Sequence, residues 1–133
     1  MQINYINRTP TADEFNYLTE AVGWGRRDNR IVEEALNNTL YSLCVYDRDK
    51  LIGYGRIIGD KTIFLYIHDV MVIPKYQGKQ IGTGIMKELV KQIDDYIIEH
   101  FRIAFGNRIM KQINTFVAVY VACGGKEIEA IDY

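Results

Sequence analysis

The chain has 133 residues, of which 48% are hydrophobic and 25% charged, and its formal net charge at pH 7 is −1. This length supports one domain with a hydrophobic core, so we expect a single domain over residues 1–133. The small net charge excludes the strongly basic field of non-specific nucleic-acid binders, and we expect no nucleic-acid partner.

The N-terminal third of the chain predicts one strand and two helices. Residues 2–6 suit a first strand, and Thr11 followed by Glu14 has the spacing of a capping box at a helix start. The glycines on either side of Trp24 are expected to end that helix. We expect Asn29 to cap a short second helix. The apolar residues expected on this second helix are Ile31, Ala35 and Leu36.

The middle of the chain predicts three strands and a long helix. Residues 41–46 and 51–58 are β-prone and flank a polar turn, which favours a hairpin. After a turn at residues 59–61, residues 62–73 form a long β-rich segment. Residues 82–98 predict an amphipathic helix. Its apolar face is formed by Ile85, Leu89, Ile93 and Ile97.

The C-terminal segment is harder to assign. Residues 101–112 fit either a short helix or an ordered insertion, whereas residues 115–123 have the composition of a buried strand. Residues 126–133 begin a further helix. The order βααβββαβα, with an early antiparallel meander, predicts an α/β fold with a mixed sheet.

The two cysteines, Cys44 and Cys123, lie in separate apolar segments. Without close spacing they make neither a metal site nor a disulfide framework, so we expect buried, reduced thiols and no metal. The N-terminus lacks the apolar core of a signal peptide, and no run reaches the roughly 18 apolar residues of a membrane span. These features predict a cytoplasmic protein without a membrane partner.

The connection between the third strand of the meander and the long helix is rich in glycine. It includes residues 77–82, in which Gly78 and Gly82 allow the backbone to approach a ligand. The helix start adds unpaired N–H groups and the positive end of a dipole, which together suit a pyrophosphate. Lys75 and Lys79 add positive charge nearby. The spacing matches neither a Walker loop nor the dinucleotide fingerprint.

The longer segment at residues 70–86, VMVIPKYQGKQIGTGIM, resembles the acyl-coenzyme A site of the GCN5-related N-acetyltransferase (GNAT) family. The signature of that family is Gln/Arg-x-x-Gly-x-Gly/Ala after a strand. Residues 20–27, 41–46 and 52–56 also look like small bacterial members, and the resemblance covers residues 1–98. One departure is Gln80, which replaces a glycine of the signature and either crowds the pyrophosphate or hydrogen-bonds to it.

The resemblance implies a single-domain acyl-CoA N-acyltransferase (GNAT) fold, with a mixed, mostly antiparallel sheet flanked by helices. It also implies acetyl-CoA as co-substrate and no metal. In this family the fourth and fifth strands splay apart and the pantetheine arm pairs with the fourth, here at Met71 and Val72. The implied cofactor-binding residues are Met71, Val72, Gln77, Gly78, Lys79, Gln80, Ile81, Gly82 and Thr83.

The resemblance further implies direct attack by a primary amine on the acetyl thioester in a ternary complex. The amine must be neutral, so a base removes its proton, and in many members charged residues of the fourth strand serve this purpose. His68 and Asp69 are the candidates here. Because adjacent strand residues face opposite ways, we expect one of them to reach the cleft. Each also has a purely structural interpretation.

The general acid in this family is usually a Tyr that protonates the leaving thiolate. Two alignments place it differently. Tyr120 and Gly124 match the sequence pattern Tyr-x-x-x-Gly, but Tyr120 lies in a segment whose composition is typical of a strand. If residues 116–122 are instead the fifth strand, Tyr133 takes the acid position, and we prefer this alignment on strand propensity.

The preferred alignment ends the chain at Tyr133, before the last two strands of the family. The fifth strand would then have an unpaired edge. This predicts either a partner chain that covers the edge, as in a homodimer, or a protein with impaired function. The corresponding hypothesis is a shortened member with reduced or absent activity.

On the acceptor side, the sequence suggests an aromatic and cationic pocket. The candidates for its lining are Trp24, Arg26, Arg27, Tyr54 and Arg56. Trp24 between two glycines suits a lid, although packing on the core is an equal alternative. These residues do not indicate whether the acceptor is a polyamine, an aminoglycoside, an amino acid or a protein N-terminus. The sequence predicts an acetyl-CoA-dependent N-acetyltransferase, and the alternative is a non-catalytic acyl-CoA-binding or regulatory module.

Overall fold

The computed structural model describes residues 1–100, except for the side chain of His100. The predictions that concern residues 101–133, including Tyr120, Tyr133, Cys123 and the fifth strand, lie outside these described residues.

The described elements follow the predicted order. They are β1 (Ile3–Asn7), α1 (Ala12–Ala21), α2 (Asn29–Asn37), β2 (Tyr41–Asp47), β3 (Lys50–Gly59), β4 (Leu65–Val72), a 3-10 turn (Pro74–Tyr76) and α3 (Ile81–His100). The strands form one antiparallel sheet in the order β1-β2-β3-β4. This α/β arrangement confirms the predicted fold class for the part of the chain that the structure describes.

Helix α1 starts with the predicted capping box. The Thr11 hydroxyl accepts a hydrogen bond from the Glu14 N–H at 3.1 Å, and the Glu14 carboxylate accepts one from the Thr11 N–H at 2.9 Å. Two N–H groups without intrahelical partners are thereby satisfied. The helix ends at Ala21, and the Trp24 N–H donates back to the Thr19 carbonyl at 2.8 Å.

Helix α2 corrects two predictions. Its N-cap is Asp28, whose carboxylate accepts a hydrogen bond from the Arg30 N–H at 2.8 Å, while Asn29 is the first helical residue. Its buried apolar residues are Val32 and Leu36, whereas Ile31 is 59% exposed. Val32 and Leu36 are four residues apart and share one face of the helix, whereas Ile31 lies about 100° away from Val32 around the helix axis and therefore faces solvent.

Strand β4 begins at Leu65, so the predicted strand over residues 62–73 is too long at its start. The reason is Asp60, whose carboxylate accepts hydrogen bonds from the N–H groups of Thr62, Ile63 and Phe64 at 2.8, 2.8 and 3.2 Å. The Asp60 side chain thus accepts the hydrogen bonds that these N–H groups would donate to a neighbouring strand in a sheet. Residues 62–64 therefore form a turn instead of the start of the strand.

The helices cover both faces of the sheet. Phe15 of α1 packs edge-on against Tyr54 of β3, with ring centroids 5.7 Å apart. Gly55 faces the opposite way, and a Cβ built on it would lie 2.8 Å from Ile85 and Leu89 of α3. Close approach of α3 to β3 therefore requires glycine at this position. Ile85, Leu89, Ile93 and Ile97 are all buried, which confirms the predicted apolar face.

Within residues 1–100, no helix combines the length and the apolar character needed to cross a membrane. Helix α3 is the longest of the described helices, at 20 residues, but it is amphipathic and carries charged residues on its exposed side.

Substitution of Gly55 by Ala is expected to lower the free energy of unfolding by about 1–3 kcal/mol, because the methyl group overpacks the contact with α3. A matched control is Gly82→Ala, since a Cβ at Gly82 meets nothing nearer than Val72 Cγ2 at 3.9 Å. The control should keep or slightly raise stability. Urea unfolding measures both, and equal stability of the two variants would contradict the packing argument.

Candidate functional site

A cavity of about 290 Å³ lies where β4 ends and α3 begins. Its walls come from three consecutive pieces of chain: the end of β4, the 3-10 turn with the glycine loop, and the first turn of α3. The lining residues are Val72, Tyr76, Gln77, Gly78, Gln80, Ile81, Gly82 and Thr83. Most of the residues predicted to bind the cofactor therefore lie together around one concave surface.

Tyr76, which the sequence analysis missed, anchors the turn beside this cavity. Its side chain is buried, and its hydroxyl donates to Asp47 Oδ2 at 2.6 Å, while Asp47 Oδ1 accepts the Gln2 N–H at 2.9 Å. The Gln2 N–H and then the Tyr76 hydroxyl lower the pKa of Asp47, and the same bond raises the pKa of Tyr76. Tyr76 and Asp47 are 29 residues apart, so no local pattern could reveal this pair.

The end of β4 presents backbone groups to the cavity. Strand β4 is an edge strand of the sheet that the described residues form. The Ile73 N–H donates to the Ile52 carbonyl on β3 at 3.0 Å, so the backbone groups of Val72 face the opposite way, toward the open edge. By the same alternation the backbone of Met71 faces β3, and its side chain is buried. Val72, rather than Met71, therefore has backbone groups that face the open edge.

Gln77 closes one end of the cavity. Its side-chain amide donates to the Val72 carbonyl at 2.9 Å, and its backbone N–H donates to the Pro74 carbonyl at 3.1 Å. The glutamine of the signature therefore holds the loop against the strand end. The Val72 N–H points to the same open edge and is the group that an extended ligand arm could use.

Two residues of the loop have left-handed backbone conformations. Gly78 has φ +76° and open space where a Cβ would be, and Gln80 has φ +67°. Glycine adopts this conformation without steric cost, whereas other residues pay about 1–2 kcal/mol. Gln80 is the position at which the resemblance expects glycine. Its departure from the signature therefore carries backbone strain as well as an additional side chain.

Helix α3 directs its N-terminus at the cavity. The first intrahelical bond runs from the Gly84 N–H to the Gln80 carbonyl at 3.0 Å, so the preceding N–H groups have no intrahelical acceptor. Their partial positive charge and the exposed Lys75 and Lys79 nearby suit an anion. The arrangement fits a ligand with a phosphate group at the loop and an extended arm along β4.

The predicted catalytic residues lie at a bulge in β4. Asp69 has φ +54°, and the pairing with β3 shifts between Tyr54, which is opposite Met71, and Arg56, which is opposite His68. A bulge breaks the alternation of side chains along a strand. His68 and Asp69 therefore face the same side, and their Nδ1 and Oδ1 atoms are 3.1 Å apart. The premise that these two residues face opposite ways is therefore wrong, and which of them reaches the cleft stays a prediction.

Arg56 holds this bulge in place. Its Nε donates to Asp69 Oδ2 at 2.7 Å, and its Nη1 donates to the Ala35 carbonyl at 3.2 Å and to the Thr39 hydroxyl at 2.9 Å. The Arg56 and Asp69 side chains are only 13% and 11% exposed. The structure thus places Arg56 in a shielded ion pair between β3, β4 and the end of α2, instead of on an open acceptor surface.

Tyr54 lies in the core, which corrects its predicted place in the acceptor pocket. The residue is fully buried, and its hydroxyl hydrogen-bonds to the Ser42 hydroxyl at 2.8 Å. Burial raises the pKa of Tyr54. Its apolar ring and satisfied hydroxyl make it a packing residue between β2, β3 and α1.

Trp24 occupies the loop between α1 and α2. Its side chain is 47% exposed, and the glycines before and after it have φ +84° and +82°. Arg26 is exposed and pairs with Glu20 at 3.0 Å and Asp13 at 3.2 Å. The half-exposed ring agrees with a surface role better than with burial in the core, and the role of Trp24 and Arg26 in acceptor binding stays a prediction.

A buried asparagine fixes this loop and was not recognised from the sequence. Asn16 of α1 donates to the Arg27 carbonyl at 2.9 Å and accepts from the Arg27 N–H at 3.1 Å. It is 1% exposed. The available signal was its position next to Phe15 at the border of the apolar face, where a polar residue needs an internal partner.

Comparison with known proteins agrees with this geometry. A sequence model of the acetyltransferase (GNAT) family matches residues 8–106. The chain belongs to the GNAT family. A relative from Prochlorococcus marinus, called an uncharacterized N-acetyltransferase ycf52-like, is 38% identical over 96 residues, which cover 69% of this chain and 53% of the relative. The chain spans about half the length of the curated relatives it matches.

Solved structures show the GNAT fold as well. A probable acetyltransferase from Staphylococcus aureus has a TM-score of 0.68 at 32% identity, covering 71% of each chain. An aminoglycoside 6'-N-acetyltransferase complexed with coenzyme A has a TM-score of 0.58 at 23% identity, covering 72% of this chain and 57% of that one. The second likeness shows the fold alone. The α/β GNAT fold predicted from the sequence is therefore confirmed.

We expect Gln80→Gly to raise the free energy of unfolding by about 0.5–1 kcal/mol, because glycine relieves the left-handed strain at this position. The control is Lys79→Gly, at the neighbouring residue, which is not among those with positive φ. The control should lose about 0.5–1 kcal/mol through the greater entropy of the unfolded chain. Chemical unfolding distinguishes the two, and a loss of stability in Gln80→Gly would contradict the strain argument.

Asp47→Asn tests the anchor of the turn through its pH dependence. Because the folded-state pKa of Asp47 is lowered, its contribution is present above the unfolded pKa of about 3.9 and disappears as pH falls through the folded value. The variant should therefore lose stability near neutral pH and show a flatter decline toward about pH 3. Asp49→Asn, in the exposed turn after β2, is the control and should change little. Identical pH profiles for the two variants would exclude the proposed anchor.

Proposed function

We propose that this chain transfers an acetyl group from acetyl-CoA to a primary amine, which attacks the thioester directly in a ternary complex. The observation that carries the proposal is the cavity at the start of α3, where the N–H groups of the loop and helix converge beside the outward-facing backbone of Val72. Family membership supports the reaction class.

The donor site is proposed from residues that fit each part of acetyl-CoA. Gly78 and Gly82 leave room for a pyrophosphate against the loop, and the N–H groups from Gly78 to Thr83 would hold its oxygens. The exposed side chains of Lys75 and Lys79 would add positive charge near the phosphates. The Val72 N–H would pair with the amide-bearing arm. When bound, acetyl-CoA supplies the activated acyl carbon, and a fold neighbour solved with coenzyme A supports this choice of donor.

A non-catalytic acyl-CoA-binding module remains the second candidate. The observation that favours it is the shielded Arg56–Asp69 pair, because a carboxylate committed to an ion pair need not be a catalytic base. The two proposals share the donor cavity, so a binding measurement alone does not separate them. A measurement of acetyl transfer to an amine separates them, because only the enzyme would show turnover.

The remaining parts of the proposal rest on the sequence. The acceptor is a small-molecule amine or a peptide amine, the chain acts as one domain or as a homodimer, and it works in the cytoplasm without nucleic-acid or membrane partners. Trp24 and Arg26, both exposed, are the proposed acceptor contacts.

Gly82→Glu tests the donor site. Acetyl-CoA at 100 times its dissociation constant should stabilise the wild-type chain by about 2.7 kcal/mol in a thermal scan. The glutamate places negative charge where the pyrophosphate should lie, so it should abolish this shift, and the space around Gly82 lets the fold survive. Gly82→Gln, of equal bulk and no charge, should retain part of the shift. No shift for wild type at millimolar acetyl-CoA would refute the donor assignment.

Tyr133→Phe tests the general acid. If Tyr133 protonates the leaving thiolate, its loss should reduce turnover by about 10²–10⁴-fold and leave the acetyl-CoA shift unchanged. Tyr120→Phe is the comparison. The reverse pattern, with Tyr120→Phe inactive and Tyr133→Phe active, would show that the alternative alignment is correct.

A further inference from the structure

The loop at residues 77–83, which lines the candidate donor cavity, is tied at its start to the end of β2. Tyr76 immediately precedes this loop, and its hydroxyl donates to Asp47 Oδ2 at 2.6 Å. Asp47 is itself held, because its Oδ1 accepts the Gln2 N–H at 2.9 Å. A hydroxyl that donates to an ionised carboxylate makes a charge-assisted hydrogen bond, which is stronger than a neutral one. The start of the loop therefore has a fixed partner on a distant strand.

The end of the same loop contacts β1. The Tyr5 side chain lies against the first turn of α3, with its hydroxyl 3.5 Å from the Ile81 carbonyl. Gly84 leaves the space that this ring occupies, since a Cβ built on Gly84 would lie 2.7 Å from Tyr5 Cζ. The first two strands of the sheet therefore contact the chain near both ends of the loop.

Between these two contacts the loop backbone is strained. Gln80 has φ +67°, a conformation that costs any residue other than glycine free energy. Gly78, with φ +76°, gives the loop additional conformational freedom. A strained backbone persists where contacts from the surrounding structure over-determine it. The hydrogen bond between Tyr76 and Asp47 is such a contact, because it joins the loop to a strand 29 residues away.

From these contacts we infer that Tyr76 and Asp47 are positioning residues of the donor site. They hold the loop in the conformation whose N–H groups receive the pyrophosphate of acetyl-CoA. The inference rests on the proposed function through its donor site. Asp47 acts through Tyr76, and Tyr76 acts through the loop that follows it. Loss of their hydrogen bond lowers the fraction of molecules with a competent loop and weakens donor binding in proportion. The acetyl-transfer step in the bound complex keeps its rate.

Tyr76→Phe tests this role because it removes only the hydroxyl. Titration calorimetry with acetyl-CoA, at a temperature where each variant is folded, should show a dissociation constant raised by about 5–10-fold. Tyr46→Phe is the matched control. Tyr46 is also buried and precedes Asp47, but its hydroxyl accepts a hydrogen bond from Arg8. The control should keep the dissociation constant within twofold, and a value within twofold for Tyr76→Phe would overturn the inference.

A double variant tests whether the two residues act through one bond. Asp47→Ala removes the acceptor, so adding Tyr76→Phe to it should weaken acetyl-CoA binding no further. Two independent losses that multiply would contradict a shared anchor. Kinetics on a panel of a polyamine, an aminoglycoside, an amino acid and a peptide give a further readout. In Tyr76→Phe the KM for acetyl-CoA should rise and kcat should stay within twofold, whereas a fall in kcat at unchanged KM would exclude a positioning role.

Hydrogen exchange tests the anchor without any donor. The Gly84 N–H donates to the Gln80 carbonyl at 3.0 Å and closes the first turn of α3. In ligand-free Tyr76→Phe this amide should exchange about 5–10-fold faster than in the wild-type chain, relative to the Leu89 amide further along the helix. Tyr46→Phe should not show this local change. An unchanged Gly84 rate in Tyr76→Phe would count against the inference.

The outcomes separate the inference from the proposed function. If the wild-type chain binds acetyl-CoA and Tyr76→Phe binds it equally well, the inference is overturned and the proposed function stands. If the wild-type chain binds acetyl-CoA without turnover and Tyr76→Phe binds more weakly, acetyl transfer is refuted and the anchor stands. If the wild-type chain shows neither binding nor turnover, both fail. Weaker binding by Tyr76→Phe at unchanged kcat supports both.

Discussion

The close contact between α3 and β3 is the constraint on which the candidate donor site depends. Ile85 and Leu89 of α3 lie against Gly55, where a Cβ would come within 2.8 Å of both side chains. Because the helix is held at this distance, its first turn lies beside Val72 at the end of β4, and together they line one cavity. The position of the loop N–H groups thus depends on packing further along the helix as well as on the loop itself.

The β4 bulge organises the other half of the site. Its Arg56–Asp69 pair is shielded and receives additional hydrogen bonds from the end of α2, whereas the pairs made by Arg26 are exposed. Exposed pairs contribute about 0–1 kcal/mol, and a shielded charge left alone costs several. The bulge is therefore held by a shielded ion pair, whereas the loop around Trp24 is held by hydrogen bonds to the buried Asn16.

Much of the fold could be predicted because its signals are local. The capping box at Thr11, the β2–β3 hairpin and the apolar face of α3 each depend on residues a few positions apart, and all three are confirmed. The errors arose where a side chain outcompeted backbone propensity. Asp60 turned a predicted strand start into a turn, and Asp28 took the cap expected of Asn29. Tyr54 was assigned to a pocket because composition cannot tell which face of a strand is covered.

By itself, the sequence determined the family, the order of the elements and the place of the glycine loop. Each of these follows from periodicity, turn chemistry or a contiguous motif. Only the tertiary structure decided which backbone groups of β4 face the open edge, that Tyr76 anchors the turn to Asp47, and that His68 and Asp69 share a side. These features depend on strand register and on contacts between residues such as Tyr76 and Asp47, 29 positions apart, and a bulge that shifts register by one residue leaves no repeating pattern in the sequence.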